Sequence, residues 1–243
     1  MTPGYRLFKY RAINLRLIES IVNQTWHFAR PDTLNDPFDC RVDVKKALTR
    51  AAISTSGLRA TLFQAALKRN ESTLDAWIGQ FEKVGVCAFS LESASELLWA
   101  HYADNHRGVV LTYQFDMPFI MDKKHKILGL DFVKYGQDAV TKWLETAPLN
   151  LEEPENFVEE LTKIYVTAKA KAWAYEEEVR IIRMEPGPFE VPRDALCKVI
   201  FGMRTPQADI KLITELVKQY SGCVEIEQMQ PDDSDFGFVA RRL

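Results

Sequence analysis

Hydrophobic and polar positions along this chain switch repeatedly between a period near two and a period near 3.6. Leu7 to Arg11 predicts a first strand. Asn14 then offers a cap for a short helix to about Gln24, with Leu17, Ile18, Ile21 and Val22 on its apolar face. Thr25 to Ala29 alternates and predicts a second short strand. Pro31 to Cys40 is dense in turn formers and predicts a loop. Val42 to about Lys83 has a helical pattern, broken near Ser54–Gly57. Val84 to Ser90 is a continuous apolar run of strand length, which places it centrally in a sheet. Ser93 to Ala103 predicts a helix, Arg107 to Phe115 a strong strand, and Ile127 to Tyr135 another strand. Gln137–Thr146 and Glu153–Ala172 predict helices. Strands follow at Glu178–Arg183, Leu196–Phe201 and Cys223–Gln228, with a helix near Gln207–Tyr220. Phe236 to Arg241 alternates and can close the sheet. Strands are scattered among the helices instead of alternating with them. That order predicts an α+β fold: a mixed, largely antiparallel sheet with helices packed on it. No repeat, low-complexity tract or long linker divides the chain, so one domain over residues 1–243 is expected, with 206–243 completing the sheet.

Composition narrows the function classes. The chain has 243 residues, 47% hydrophobic, 11% aromatic and 27% charged, with a net charge of −3. A sizeable core is affordable, and a protein that mainly grips nucleic acid phosphates is disfavoured. A local basic patch remains compatible with a nucleic acid substrate. No apolar run is long enough to cross a bilayer, and the stretch MTPGYRLFKYR has no apolar signal-peptide core, so a cytoplasmic protein without a membrane partner is expected. Cys40, Cys87, Cys197 and Cys223 are far apart with no Cys-x-x-Cys pair, which predicts free thiols. His27, His101, His106 and His125 form no ligand cluster, and no metal is expected.

Three stretches carry candidate chemistry. In Tyr175-Glu176-Glu177-Glu178-Val179-Arg180-Ile181-Ile182, strand alternation puts Glu176, Glu178 and Arg180 on one face. Paired carboxylates at a strand rim suit the stabilisation of an oxocarbenium-like sugar cation. They also suit a solvated edge with an ion pair of little worth. In Asn35-Asp36-Pro37-Phe38-Asp39-Cys40, a rigid Asx-turn is expected, with Asp36 or Asp39 available to aim into a pocket. In Leu98 to Gly108, Trp99, Tyr102 and His106 fit either core packing at a helix end or an aromatic wall for a planar ligand. Lys169 lies one helical turn before Trp173, where a surface lysine is the ordinary expectation.

Lys9-Tyr10-Arg11, Asn35-Asp36-Pro37-Phe38-Asp39, Phe89-Ser90, Trp99-x-His101-Tyr102-Ala103, His106-Arg107-Gly108 and Lys169-x-x-x-Trp173-x-Tyr175-Glu176-x-Glu178-x-Arg180 together resemble the signature of the bacterial domain-of-unknown-function family 2971, from about residue 5 to residue 205. That likeness brings no established chemistry. More distantly, the order of strand, helix, strand, apolar strand ending in Ser, and Glu-x-Glu strand resembles the ADP-ribosyltransferase superfamily, which includes DNA-modifying and NAD-degrading bacterial toxins. The resemblance implies a split sheet that binds NAD as substrate between its halves. It implies Glu178 as the catalytic carboxylate and Glu176 on the acceptor side. Lys9 or Arg11 takes the first-strand position, and Ser90 matches the second motif's serine. The pyrophosphate is then expected near Lys9, Arg11 or Arg107. The nicotinamide wall is expected from Trp99, Tyr102 or Phe89, with Tyr10 and His101 also counted as NAD-binding candidates. Water, a protein or a nucleic acid is the implied acceptor, and a toxin or phage-defence role the implied setting. Lys9 departs from the superfamily's His or Arg, and no Ser-Thr-Ser triplet is present.

Two other classes stay open. A binding module would use the Glu run and the Trp99–Tyr102 cluster as a recognition surface. A metal-dependent nuclease would use Asp36, Asp39, Glu176 and Glu178 around a divalent ion. A dinucleotide-binding Rossmann domain is disfavoured, because no Gly-x-Gly-x-x-Gly occurs.

Overall fold

The computed structural model describes residues 5–68, 79, 81–136, 138–149, 154–232 and 237–243. Eight strands form one sheet in the order β12-β11-β10-β4-β1-β3-β8-β5. They are β1 (Tyr5–Arg11), β3 (Gly85–Ser90), β4 (Val109–Phe115), β5 (Ile127–Phe132), β8 (Glu178–Arg183), β10 (Leu196–Phe201), β11 (Glu225–Pro231) and β12 (Phe238–Arg242). Every neighbouring pair is antiparallel except β10 and β11. Two small sheets flank it. One pairs β2 (Thr25–Phe28) with β9 (Gly187–Glu190), and the other pairs β6 (Lys134–Tyr135) with β7 (Ala168–Lys169). The helices are α1 (Leu15–Val22), α2 (Val44–Ser54), α3 (Gly57–Lys68), α4 (Glu96–Tyr102), α5 (Met117–Met121), α6 (Ala139–Thr146), α7 (Pro154–Thr167) and α8 (Gln207–Tyr220). Among the described residues no helix is long and apolar enough to cross a membrane.

The sheet buries both faces, and alternation along each strand decides which residue goes where. On one face Leu7, Cys87, Phe89, Leu111, Val179, Ile181 and Val199 pack with α1, α8 and β2. Trp26 is the centre of that layer, meeting Phe89, Tyr113 and Phe115 edge-on at 5.2–5.5 Å. On the other face Val86 and Ile182 pack with α2, α6 and α7. A smaller cluster of Tyr10, Leu98, Trp99, Val110 and Ile200 sits under α4.

One irregularity shapes everything that follows. β1 and β4 stay in register over seven residues, from Tyr5↔Phe115 to Arg11↔Val109. β1 and β3 meet at a single pair, Phe8↔Ser90, and then part. The sheet is therefore split along its middle, between β12-β11-β10-β4-β1 and β3-β8-β5.

The α+β class and the largely antiparallel sheet agree with the sequence. Three expected elements differ, and β9 and α5 stand where no element was expected. The helix expected to run to Ala172 ends at Thr167, because Ala168 and Lys169 pair with Lys134 and Tyr135, and that pairing overrides the helix propensity of the alanines. The strand expected over Ile127–Tyr135 breaks into β5 and β6. Glu176 lies in a 3₁₀ turn (Lys171–Glu176), not on the strand; Glu177, with φ of 43°, makes the corner. Expected helical residues 69–78, 80, 137 and 153, and strand residue 236, lie outside the described residues.

Candidate active site

The split between β1 and β3 opens a cleft of about 190 Å³. Phe8, Lys9, Tyr10 and Arg11 line it from β1, and Ala88, Phe89 and Ser90 from β3. Leu98 and Tyr102 approach from α4, Asn35 from the loop after β2, and Lys169, Glu176 and Glu178 from the end of β7 to the start of β8. Sequence reasoning named Lys9, Tyr10, Arg11, Ser90, Tyr102, Glu176 and Glu178, and the fold brings all seven to this cleft. β3 stands between β1 and β8, so Phe8, Ser90 and Glu178 fall in one row across three strands.

The two ends of the cleft differ in charge. Lys9 springs from the Leu7 face of β1 and reaches across the split: its Nζ donates to Ala88 O at 2.7 Å and lies 4.7 Å above the Phe89 ring. It has no carboxylate partner among the described residues, and neither has Arg11. A half-buried ammonium held by a carbonyl and an aromatic face retains much of its capacity for an anion. His27, exposed on β2, registers the same field. Burial and the charges of Arg11, Lys9 and Arg16 hold its imidazole below the ordinary histidine range.

Opposite lies a buried network of three carboxylates and two cations. Arg180 Nε donates to Glu178 Oε1 at 2.7 Å, and its Nη2 donates to Asp39 Oδ2 at 2.5 Å. Lys169 Nζ donates to Glu176 Oε2 at 2.5 Å and Glu178 Oε2 at 2.8 Å. Tyr102 OH donates to Glu176 Oε1 at 2.5 Å and accepts from Asn35 Nδ2 at 2.9 Å. The Asp39, Lys169, Glu176, Glu178 and Arg180 side chains are all at most 6% exposed. Charges taken this far out of water persist only when paired and hydrogen-bonded. Counted as ionised, the five sum to −1.

Environment drives the two glutamates apart. Burial would raise Glu178, but Arg180 and Lys169 hold its carboxyl at about 2. Burial raises Glu176, and the hydrogen bonds from Lys169 and Tyr102 offset that only in part. Burial disfavours charge on Lys169 as well, yet Glu178 and Glu176 hold it above its ordinary value. Tyr135, whose hydroxyl accepts from the Glu178 amide at 2.8 Å, is pushed up to about 12 by burial and by both glutamates. A firmly ionised carboxylate beside a more basic one is the division of labour found where one group stabilises charge and the other handles a proton.

Ser90 has a positioning geometry. Its Oγ donates to Glu176 O at 2.8 Å and accepts from Glu92 N at 3.0 Å, tying the end of β3 to the 3₁₀ turn. Tyr10 OH donates to Glu92 O at 2.9 Å on the same loop.

Trp99, His101 and Arg107 stand outside the cleft lining. Trp99 is fully buried; its Nε1 donates to Ser93 O and its ring stacks on His106. His101 is exposed, with its ring 6.2 Å from that of Tyr175. Arg107 is exposed at the end of a turn in which Asp104, Asn105 and His106 all have left-handed backbones. The aromatic residues lining the cleft are therefore Phe8 and Tyr10 from β1, Phe89 from β3 and Tyr102 from α4.

The loop Asn35–Cys40 is the Asx-turn expected, with Phe38 N donating to Asp36 Oδ1 at 2.9 Å. Asp36 stays in that turn, and Asp39 is the residue aimed inward. Asp39, Glu176 and Glu178 spend their oxygens on Lys169, Arg180 and Tyr102. Among the described residues no group of three or more His, Cys, Asp and Glu side chains is arranged to hold a metal ion.

Sequence reasoning missed Asn35 as a cleft residue, Tyr135, and above all Lys169, which was expected on the surface. The Glu-x-Glu-x-Arg alternation signalled Arg180. Lys169 gave no periodic signal, because its seven-residue separation from Glu176 belongs to a turn.

No curated protein and no solved structure matches the chain. Residues 98–181, which carry Tyr102, Lys169, Glu176, Glu178 and Arg180, match the family described as Protein of unknown function (DUF2971).

Proposed function

We propose that the cleft binds NAD and breaks its nicotinamide–ribose bond, transferring ADP-ribose to water or to a macromolecular acceptor. One observation carries this reading. β1 with Lys9 and Arg11, β3 with Ser90 and β8 with Glu178 line one cleft, Ser90 and Glu178 from the Phe8 face and Lys9 and Arg11 from the Leu7 face at the split, and this supports the reading.

The proposed chemistry uses the charge asymmetry. Lys9 and Arg11 receive the pyrophosphate. A cleft of about 190 Å³ is below the 300–1,000 Å³ usual for whole ligands, so it suits the nicotinamide–ribose end, with the rest of the dinucleotide extending past Arg11. Glu178 Oε1 receives one bond, from Arg180, which leaves it room for a ribose hydroxyl. When the C1′–N bond breaks, nicotinamide departs neutral with the electron pair, and C1′ carries the positive charge. The ionised Glu178, itself buried, stabilises that cation. The acceptor oxygen or nitrogen then bonds C1′ and loses a proton, which Glu176 is placed to take.

Nicotinamide release from NAD tests this, with and without cell lysate as a source of acceptor. Glu178→Gln should reduce release roughly a hundredfold or more while changing NAD affinity little, because the interaction strengthens in the transition state. Glu177→Gln is the control, since Glu177 is exposed and outside the network. Equal rates in all three proteins would remove Glu178 from the mechanism. Binding of NAD with no release by the wild type would leave a binding module.

A further inference from the structure

Lys169 occupies a place that a solvent-facing lysine could not. Its backbone is fixed twice, by the β6–β7 pairing of Tyr135 with Lys169 and by Gly136 N donating to Lys169 O at 2.9 Å. Its ammonium lies 5.3 Å from the centre of the Trp173 ring. Glu176 and Glu178 accept its two short bonds, and Asp39 Oδ2 stands further off at 3.6 Å. The charged and titratable groups around it are Tyr175 and Glu176 from the 3₁₀ turn, Glu178 and Arg180 from β8, Asp39 from the Asx-turn loop, Tyr102 from α4 and Tyr135 from β6.

The partners are not interchangeable. Arg180 already serves Asp39 and Glu178. Among the described residues Glu176 has Lys169 as its one cation, and its other side-chain partner is the neutral Tyr102. Without Lys169, Glu176 would be a buried carboxylate beside Glu178 with no counter-charge, and such a group takes up a proton instead.

We propose that Lys169 is a positioning residue: a buried internal counter-ion that keeps Glu176 ionised and aimed at the cleft together with Glu178. The assignment rests on the reading of the cleft given above, in which an ionised Glu176 receives the acceptor's proton. Under it the site works only where Glu176 is deprotonated, and Lys169 sets the lower pH bound of transfer.

The experiment has two readouts on the same proteins. Formation of the ADP-ribosyl product on water or acceptor, the step in which Glu176 takes the proton, is measured against pH alongside nicotinamide release for the wild type, Lys169→Met and Lys169→Arg. The carboxyl groups of Glu176 and Glu178 are titrated in parallel by carbon-13 NMR. Lys169→Met is expected to move the acid limb of the pH profile upward by about one to three units, with the Glu176 titration moving in step. Lys169→Arg restores a cation and should bring both back towards the wild type. A limb and a Glu176 titration that stay in place in Lys169→Met would overturn the proposal, as would an equal loss of rate at every pH, the mark of a structural role. A wild type that releases no nicotinamide would defeat the NAD reading, and the carboxyl titration would still decide for or against Lys169. If neither variant folds, the nitrogen-15 signal of Lys169 Nζ in the wild type decides. An ammonium at neutral pH supports the counter-ion role, and a neutral amine overturns it.

Discussion

Arg180 shows why the buried network is a commitment for the fold as well as for the site. It is 1% exposed, and its guanidinium joins Asp39, in the loop before α2, to Glu178 at the start of β8. Arg180→Met keeps an unbranched side chain but leaves Asp39 with only the Lys169 ammonium at 3.6 Å and Glu178 with Lys169 alone. Such losses cost about 3–5 kcal/mol, which urea unfolding should read as a lowered midpoint. The pH dependence has a definite sign. Glu178 is held at about 2, below its ordinary 4.5, so it contributes stability above about pH 4.5 that is lost as pH falls towards 2. Glu176 is raised, so it works the other way, favouring the fold when protonated and opposing it as pH rises through its own value. Glu178→Gln should therefore flatten the stability profile between about pH 4.5 and 2, and an unchanged acid-unfolding slope in that variant would count against the pairing. The Glu178–Arg180 alignment was legible from strand alternation alone. Lys169 was not, since no local period relates a two-residue strand to a 3₁₀ turn. Nor was the corner at Glu177, where a left-handed backbone takes Glu176 off the strand and still leaves both glutamates on one lysine.

Helices and strands with a capping residue or a long period were legible, and those made by distant pairing were not. Asn14 caps α1 through Leu17 N at 3.1 Å, and Ser95 caps α4, both as their side chains dictate. β9 escaped because Pro188 and a Gly187 with φ of 112° hide a strand that exists only by pairing with β2. The same logic makes the end of β1 sensitive to one methyl group. A Cβ on Gly108 would stand 2.2 Å from Arg11 O and 2.9 Å from the Ala103 backbone. Those atoms belong to the strand that carries Arg11 and to the end of the helix that carries Tyr102, so the strain is transmitted to both walls of the cleft. Gly108→Ala should cost about 1–3 kcal/mol by overpacking and weaken NAD binding with it, as calorimetry would report. Gly237→Ala meets nothing within 4 Å and should stay within about 0.5 kcal/mol of the wild type.

For the molecule as a whole, the class was legible while the strand order was not. Scattered strands among helices point to an antiparallel α+β sheet. The order β10-β4-β1-β3-β8 instead depends on partners up to 110 residues apart, Tyr5 with Phe115, which no window of sequence contains. That order leaves the split at Phe8↔Ser90 in the middle of the sheet, where few backbone bonds join the halves. Lys9 closes part of the gap with its bond to Ala88 O. A ligand seated there contacts both halves in the native state and neither in the unfolded chain, so it should stabilise by mass action. NAD at about a hundredfold excess over its dissociation constant is worth roughly 2.7 kcal/mol, or about 5–11 °C in melting temperature for a chain of this size. Hydrogen exchange should slow in step at the facing backbones of β1 and β3, because the ligand suppresses their separation. Free magnesium or manganese should leave the melting temperature unchanged, since Lys169, Arg180 and Tyr102 already occupy the carboxylates. A metal-dependent rise without an NAD response would instead favour the nuclease reading, and no response to either would favour a partner-binding surface.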